Sequence, residues 1–265
     1  MAPAAIDRDS LPPGPGGPSP LVAARFLLRG PHFLDACHAR YGDCFTIRLN
    51  TGRTVVITAD PAMTKEVFQS SGDDLHAGAG NVVLKPILGA RSVLLLDGPE
   101  HMRQRRLMLP PFHGERMRAY GETMREVAER HVARWRVGHA FSVHPTMQAI
   151  TLEIILRTVF GVEDEARVEQ LAEPMKRLLN STDQPLRLLA LQLTRSAGAR
   201  PRSPWGRVYA LMAPVDALIR QEIAARRAEG ERDDILSLLL AARDEDGNAL
   251  TDAELRDELM TLLLA

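Results

Sequence analysis

Hydrophobic residues in the second half of the chain recur at intervals of three and four, the spacing that places them on one face of an α-helix. After Gly114 this stripe predicts a helix with one side in the core. The stripe consists of Met117, Tyr120, Met124, Ala128, Val132 and Trp135. Residues 145–160 are apolar almost all round, which predicts a helix that is buried on most sides and ends at Gly161.

A period of two, typical of a half-buried strand, occurs near the N-terminus. Phe45, Ile47 and Leu49 alternate with polar residues, and the turn residues 50–53 lead into a second run at 54–58. The pattern predicts a β-hairpin with Phe45 and Ile47 on its buried side. With the helical second half, it predicts a mainly α fold that has one small β-hairpin near the N-terminus.

Short helices are predicted on both sides of this hairpin. Residues 34–41 form the first helix, which ends at Gly42. Asp60 and Pro61 open the second helix. In this second helix we expect three hydrophobic side chains to point inward, namely Met63, Val67 and Phe68.

Later boundaries are marked by capping residues. A weaker helical pattern begins near residue 164. Ser203 and Pro204 start a long helix that ends at Gly230, and we expect a kink at Pro214 within it.

Two more helices follow. Asp233 or Asp234 caps the helix at 235–243. Thr251 and Glu254 have the spacing of a capping box at the start of the last helix. The inward stripe of that helix is Leu255, Leu259, Leu262 and Leu263. Because the chain stops while this helix is still apolar and uncapped, we expect the sequence to be a truncated piece of a longer protein.

Two segments lack a regular period. Residues 1–20 are rich in proline and predict a flexible N-terminal arm, either disordered or packed, ahead of a single domain at 21–265. Residues 71–98 contain many glycines together with apolar side chains. A loop of this length is typical of a functional element, so we expect a pocket wall, with a buried packing loop as the alternative.

Composition narrows the function. Lys+Arg 33 against Asp+Glu 34 leaves a net charge of −1, and aromatic residues are 5%, which argues against a nucleic-acid binder. Cys37 and Cys44 have no zinc-ligand spacing and are interpreted as small buried hydrophobic residues. We expect no metal site, no transmembrane segment and no secretory signal, and therefore a cytoplasmic location.

The candidate chemistry lies at residues 97–112, D-G-P-E-H-M-R-Q-R-R-L-M-L-P-P-F. Asp97 and Glu100 predict a capping box at a helix start. His101 and Arg105 are four apart, so they stand on one face and can bind one carboxylate or phosphate together. A solvated surface helix with internal salt bridges through Glu100 is the alternative.

These segments, in this order, resemble the cytochrome P450 monooxygenases of the bacterial soluble type. The resemblance rests on L-P-P-G-P, Y-G-D-C-F-T-I-R-L, T-A-D-P, the 97–112 segment, D-D-I-L-S-L-L-L-A-A-R-D-E-D-G and L-T-D-A-E-L-R-D-E-L-M-T-L-L-L-A. It implies a partial fold of that family that runs from the N-terminus to the start of the family's I helix.

The resemblance implies that His101 and Arg105 bind the propionates of haem b. Arg103 and Arg106 would belong to a basic surface that receives a ferredoxin or flavoprotein reductase. The complete protein would insert one oxygen atom of O₂ into a hydrophobic small molecule, with residues 164–230 as a lid and 186–193 as its tip.

The family's oxygen-handling motif and its haem-binding cysteine loop are not in this sequence, and neither Cys37 nor Cys44 has that context. We therefore expect no catalytic residue here and no activity from this chain alone, as for a pseudogene product or fragment. The alternative function is a non-catalytic α-helical interaction module.

Overall fold

The computed structural model describes residues 10–49, 54–70, 75–182, 203–230 and 232–264. Two compact units are present, one formed by residues 1–75 and 181–206 and the other by residues 76–180 and 207–265. The predicted fold class is confirmed, because the described chain is mostly helical and contains a two-stranded antiparallel sheet.

The helices are α1 (Ser19–Arg29), α2 (Pro31–Tyr41), α3 (Pro61–Gln69), α4 (Ala77–Asn81), α5 (Lys85–Leu88), α6 (Gly98–Met108), α7 (Glu115–Val132), α8 (Val143–Phe160), α9 (Glu165–Thr182), α10 (Pro204–Glu229), α11 (Ile235–Ala241) and α12 (Asp252–Leu264). The strands are β1 (Cys44–Arg48) and β2 (Thr54–Thr58). Short 3₁₀ turns lie at Val82–Leu84, Val93–Leu95 and Pro110–Phe112. The segment 71–98, predicted as a loop, therefore contains short helical turns, and the predicted lid tip at 186–193 lies outside the described residues.

In the hairpin of the first unit, β1 has buried residues on both faces, whereas Val56 of β2 is exposed. Cys44 pairs with Thr58 and Arg48 with Thr54 across its antiparallel ladder. Phe45 and Ile47 are buried as predicted, but Thr46, on the opposite face, is buried too. The proline-rich arm runs beside β1 at this point, since Thr46 N–H donates to Pro13 O over 2.9 Å. This part of the arm is packed against β1.

Helix α3 begins as predicted and packs differently. The Asp60 carboxylate accepts from the backbone N–H groups of Ala62 and Met63 at 2.6 and 3.0 Å, which caps the helix. The expected inward stripe is wrong, because the exposed fractions of Met63, Val67 and Phe68 are 41%, 48% and 85%. Phe68 is the most exposed of the three, whereas Met63 contacts Cys44 of β1.

The second unit is built around helices α8 and α12, whose C-terminal halves are largely buried. Helix α8 packs against α7, α11 and α12, and Leu156 in α8 and Leu259 in α12 are fully buried. Helix α8 ends at Gly161 as predicted, because Gly161 is left-handed at φ +60° and its N–H donates to Leu156 O. None of the described helices has both the length and the apolar character to span a bilayer.

The predicted core stripe of α7 is wrong in most of its members. Tyr120 is buried and Ala128 is half-buried. The exposed members are Met117, Met124, Val132 and Trp135. The second buried α7 residue is Val127, outside the stripe. The side of α7 that packs on α8 is therefore narrower than the hydrophobic pattern suggested.

A buried ion pair joins the end of α8 to α10 and α11. Arg226 and Asp234 pair while only 4% and 2% of their side chains are exposed. Arg226 also donates to Ser237 Oγ at 2.8 Å and to Phe160 O at 3.1 Å. Asp234 caps α11 by accepting from Ser237 N–H at 2.8 Å. The pair thus fixes three helix ends at once.

The packed arm predicts a cost for substitution of Gly14. A Cβ atom at Gly14 would lie 1.9 Å from Thr46 O, whereas one at Gly16 would meet nothing within 4 Å. We expect Gly14→Ala to lower the free energy of unfolding by about 1–3 kcal/mol and Gly16→Ala to leave it nearly unchanged. Urea unfolding of the two variants measures this, and equal midpoints would show that the arm does not pack on β1.

The buried pair predicts a contrast between adjacent arginines. Arg226→Met leaves Asp234 buried without its cation and should cost about 3–5 kcal/mol of unfolding free energy. Arg227 pairs with Asp252 at the surface, so Arg227→Met should cost no more than about 1 kcal/mol. Thermal and urea unfolding compare them; similar losses in both variants would contradict a special role for the buried pair.

Candidate functional site

Helix α6 carries the candidate site, and its start differs from the predicted capping box. Asp97 makes no side-chain cap to α6. Its carboxylate instead accepts from the N–H groups of Gly78 and Ala79 at 2.7 and 2.9 Å. Asp97 therefore caps α4 and ties it to the beginning of α6. The helix ends at Met108, two residues before Pro110, and Pro111 follows.

The candidate pair lies within the continuous α6 helix. Since His101 and Arg105 are four residues apart, they share one face. His101 is half-buried and Arg105 is exposed. Within the described part of the chain, neither side chain has a hydrogen-bond or ion-pair partner, and Glu100 makes no salt bridge to either one. Both remain candidate anion ligands, and their binding of a propionate remains a prediction.

Arg103, on another face of α6, is fully engaged. It donates to Asp244 at 2.6 Å and to Glu254 at 3.0 Å, and also to Ala249 O at 3.4 Å. The hydrogen bond from Arg103 lowers the pKa of Asp244. Two carboxylates pair with this guanidinium, and its assignment to a basic surface for a redox partner stays a prediction.

Arg106 is exposed and pairs with Glu245. A cavity of about 460 Å³ lies on this side of α6, between Pro99, Met102 and the turn at 243–246. His101 and Arg105 do not line it. Helix α6 therefore presents one face of paired arginines and another face on which the N–H donors of His101 and Arg105 have no partner among the described residues.

A buried polar cluster, which sequence reasoning missed, fixes the segment before α6 to α12. Asp257 accepts from Arg91 N–H at 2.9 Å, and Glu258 accepts from Val93 N–H at 2.7 Å. The Thr261 hydroxyl bonds to Ser92 Oγ at 2.8 Å. The available signal was the polar D-E and T inside an apolar helix, which indicates polar groups with buried partners.

Glu258 is the most unusual member of this cluster. It is fully buried, and burial raises the pKa of its carboxyl to about 7 against the lowering effect of the Gln104 side chain and Val93 N–H. Its Oε2 atom has no hydrogen-bond partner among the described residues. The same is true of Nε2 of Gln104, an α6 residue that is 1% exposed.

The cysteines lie in the first unit and have packing roles. Cys37 is buried in α2, and burial raises the pKa of its thiol. Cys44 starts β1, and its Sγ lies 3.9 Å from Met63 Sδ. Among the residues that the structure describes, no three histidine, cysteine, aspartate or glutamate side chains group to hold a metal ion.

The family model and the most similar curated proteins named below all identify cytochromes P450 as relatives of this chain. The family model for cytochrome P450 matches residues 12–265. Putative cytochrome P450 135B1 of Mycobacterium tuberculosis is 41% identical over 258 residues, which are 96% of this chain and 54% of that protein. Putative cytochrome P450 135A1 of the same species is 37% identical over 259 residues, 96% of this chain and 57% of that protein. The chain spans about half the length of these curated relatives.

Two solved structures share the fold. Cyanobacterial CYP120A1 with bound retinoic acid aligns with a TM-score of 0.78 and 21% identity over 96% of this chain and 56% of that chain. The haem domain of cytochrome P450DA aligns with a TM-score of 0.73 and 23% identity over the same 96% and 56%. Sequence identities this low support a shared fold alone, but the family model covers nearly the whole sequence. The chain therefore belongs to the cytochrome P450 family.

Proposed function

We propose that this chain supplies the haem-propionate ligands of a haem-dependent monooxygenase and forms its N-terminal part. The observation that carries the proposal is the state of the cations on α6. Arg103 and Arg106 are paired with carboxylates, whereas His101 and Arg105 share a face without a partner in the described structure. A pair of free N–H donors one helical turn apart suits a carboxylate ligand.

In the proposed role, His101 and Arg105 bind and orient the cofactor. Each donates N–H groups to a propionate, and both come from one helix, so the spacing of the two donors is fixed by the backbone. Bound haem supplies the oxygen-activating chemistry, for which an axial thiolate provides the oxygen–oxygen cleaving power. Cys37, buried as a thiol, and Cys44, in contact with Met63, are not assigned that role.

The complete monooxygenase would use O₂, a hydrophobic small molecule and electrons from a ferredoxin or flavoprotein reductase. The 71–98 segment would form a pocket wall, and α9 with α10 would form a lid. These assignments come from the family, and a cytoplasmic location stays a prediction from the sequence. The chain by itself is proposed to be inactive.

The cation pair predicts selective effects on haem affinity. Arg105→Ala and His101→Ala should each raise the dissociation constant for hemin by about tenfold, since each removes a charge-assisted hydrogen bond. Arg106→Ala is the matched control on the same helix, because Arg106 pairs with Glu245 instead, and it should leave the constant unchanged. Titration of the chain with hemin, followed by Soret absorbance, measures all three. An equal loss in Arg106→Ala would overturn the assignment.

The proposed lack of an axial thiolate predicts a spectroscopic result. Hemin-loaded chain, reduced under carbon monoxide, should not show the Soret shift that marks a thiolate ligand. Cys37→Ser and Cys44→Ser should give the same spectrum as the unmodified chain. A thiolate-type shift that disappears in either variant would show that this cysteine binds the iron.

A further inference from the structure

Helix α12 holds the segment before α6 through three adjacent polar contacts. Asp257, Glu258 and Thr261 bind, in turn, Arg91 N–H, Val93 N–H and the Ser92 hydroxyl. The backbone before α6 approaches α12 closely at Gly89, where an added Cβ atom would lie 2.0 Å from the Asp257 carboxylate. These bonds leave residues 89–93 little freedom to shift along α12.

Gln104 extends this anchor onto α6. Gln104 is three residues after His101 and directly before Arg105, so its burial fixes the rotation of α6 about its axis. Its Nε2 atom and Oε2 of Glu258 are both buried and lack partners in the described structure. Gln104 is nevertheless close enough to lower the pKa of Glu258. Because buried polar atoms are rarely left unpaired, each is the natural partner of the other.

We propose that Glu258 is a positioning residue for the two proposed propionate ligands. The carboxyl group of Glu258 holds Val93 and Gln104, and so fixes the rotation of α6 that presents His101 and Arg105. The predicted effect of Glu258 on haem binding rests on the proposed function. The structural part of the inference, the anchor itself, does not depend on that function.

The protonation of Glu258 makes this anchor depend on pH. Burial is the main cause of its raised pKa, and the carboxylates of Asp257 and Glu254 add to it. The cations nearby are already paired, Arg256 with Asp257 and Arg103 with Glu254. Helix α11 and the Val93–Leu95 turn, which also pack on α12, carry no titratable side chain.

The remaining neighbours of α12, helices α5 and α8, contribute two further titratable residues and one ion pair. Lys85 in α5 and His144 in α8 are exposed. In α8, Glu153 and Arg157 pair with each other. A docked Glu258 therefore keeps its proton up to about pH 7, whereas a released one loses it above its ordinary value of 4.5. Docking consequently weakens as pH rises between these values and is constant above them.

Hydrogen exchange of the Val93 amide tests the anchor. In the unmodified chain, protection corrected for intrinsic exchange should fall by about tenfold from pH 5.5 to 7.5. In Glu258→Gln, which mimics the protonated carboxyl, it should stay constant. The Gly78 and Ala79 amides, held by Asp97, are the internal control and should not follow this trend. The same pH dependence of Val93 amide protection in both chains would overturn the anchor.

Hemin titration tests the consequence for the site. The hemin affinity of the unmodified chain should fall relative to that of Glu258→Gln over the same pH interval, whereas Glu245→Gln, at the surface, should follow the unmodified chain. Gln104→Met should weaken hemin binding by several-fold with unchanged helix content. This variant tests the positioning role if Glu258→Gln does not fold. A Gln104→Met chain with unmodified affinity would refute the positioning role. Absence of hemin binding in every chain would instead count against the proposed function, while Val93 exchange still decides the anchor.

Discussion

The arrangement of the second unit depends on how α12 is buried. Leu255 and Leu259 fill the core, and on other sides of the same helix Asp257 and Glu258 are buried as well. Burying carboxyl groups is costly unless they receive hydrogen bonds, so the segment 89–93 must present its backbone N–H groups to them. The conformation of that segment, and hence the position at which α6 begins, follows from this requirement.

Contacts with α12 and with the turn before it also decide which charged side chains on α6 are paired. Arg103 connects α6 to the turn that holds Asp244 and to Glu254 at the start of α12, where Glu254 also completes the capping box with Thr251. Burial alone would raise the pKa of Glu254, but the bonds from Thr251 and Arg103 lower it overall. Pairing on this face leaves His101 and Arg105 as the cations available for a ligand.

Local signals were read correctly where the chemistry lies within a few residues. Asp60 caps α3, Gly161 ends α8, and Thr251 with Glu254 forms a reciprocal cap, because each contact spans at most five residues and depends little on the rest of the fold. Asp97 is the exception, since α4, almost 20 residues earlier, offers free amides that its carboxylate reaches instead. Hydrophobic stripes were less reliable: the exposed apolar faces of α3 and α7 show that a pattern identifies an apolar face but not what covers it.

The sequence by itself determined the helical class, the β1–β2 hairpin and the spacing that puts His101 and Arg105 on one face, because helix periodicity and turn chemistry are local. It did not determine which cations on α6 are free. Arg103 pairs with carboxylates 141 and 151 residues away, and the buried Gln104 lies close enough to the distant Glu258 to lower its pKa. Only the tertiary structure decided these points, because partners so far apart in the chain are brought together by packing, and a hydrogen bond is stronger in the low dielectric that this packing creates.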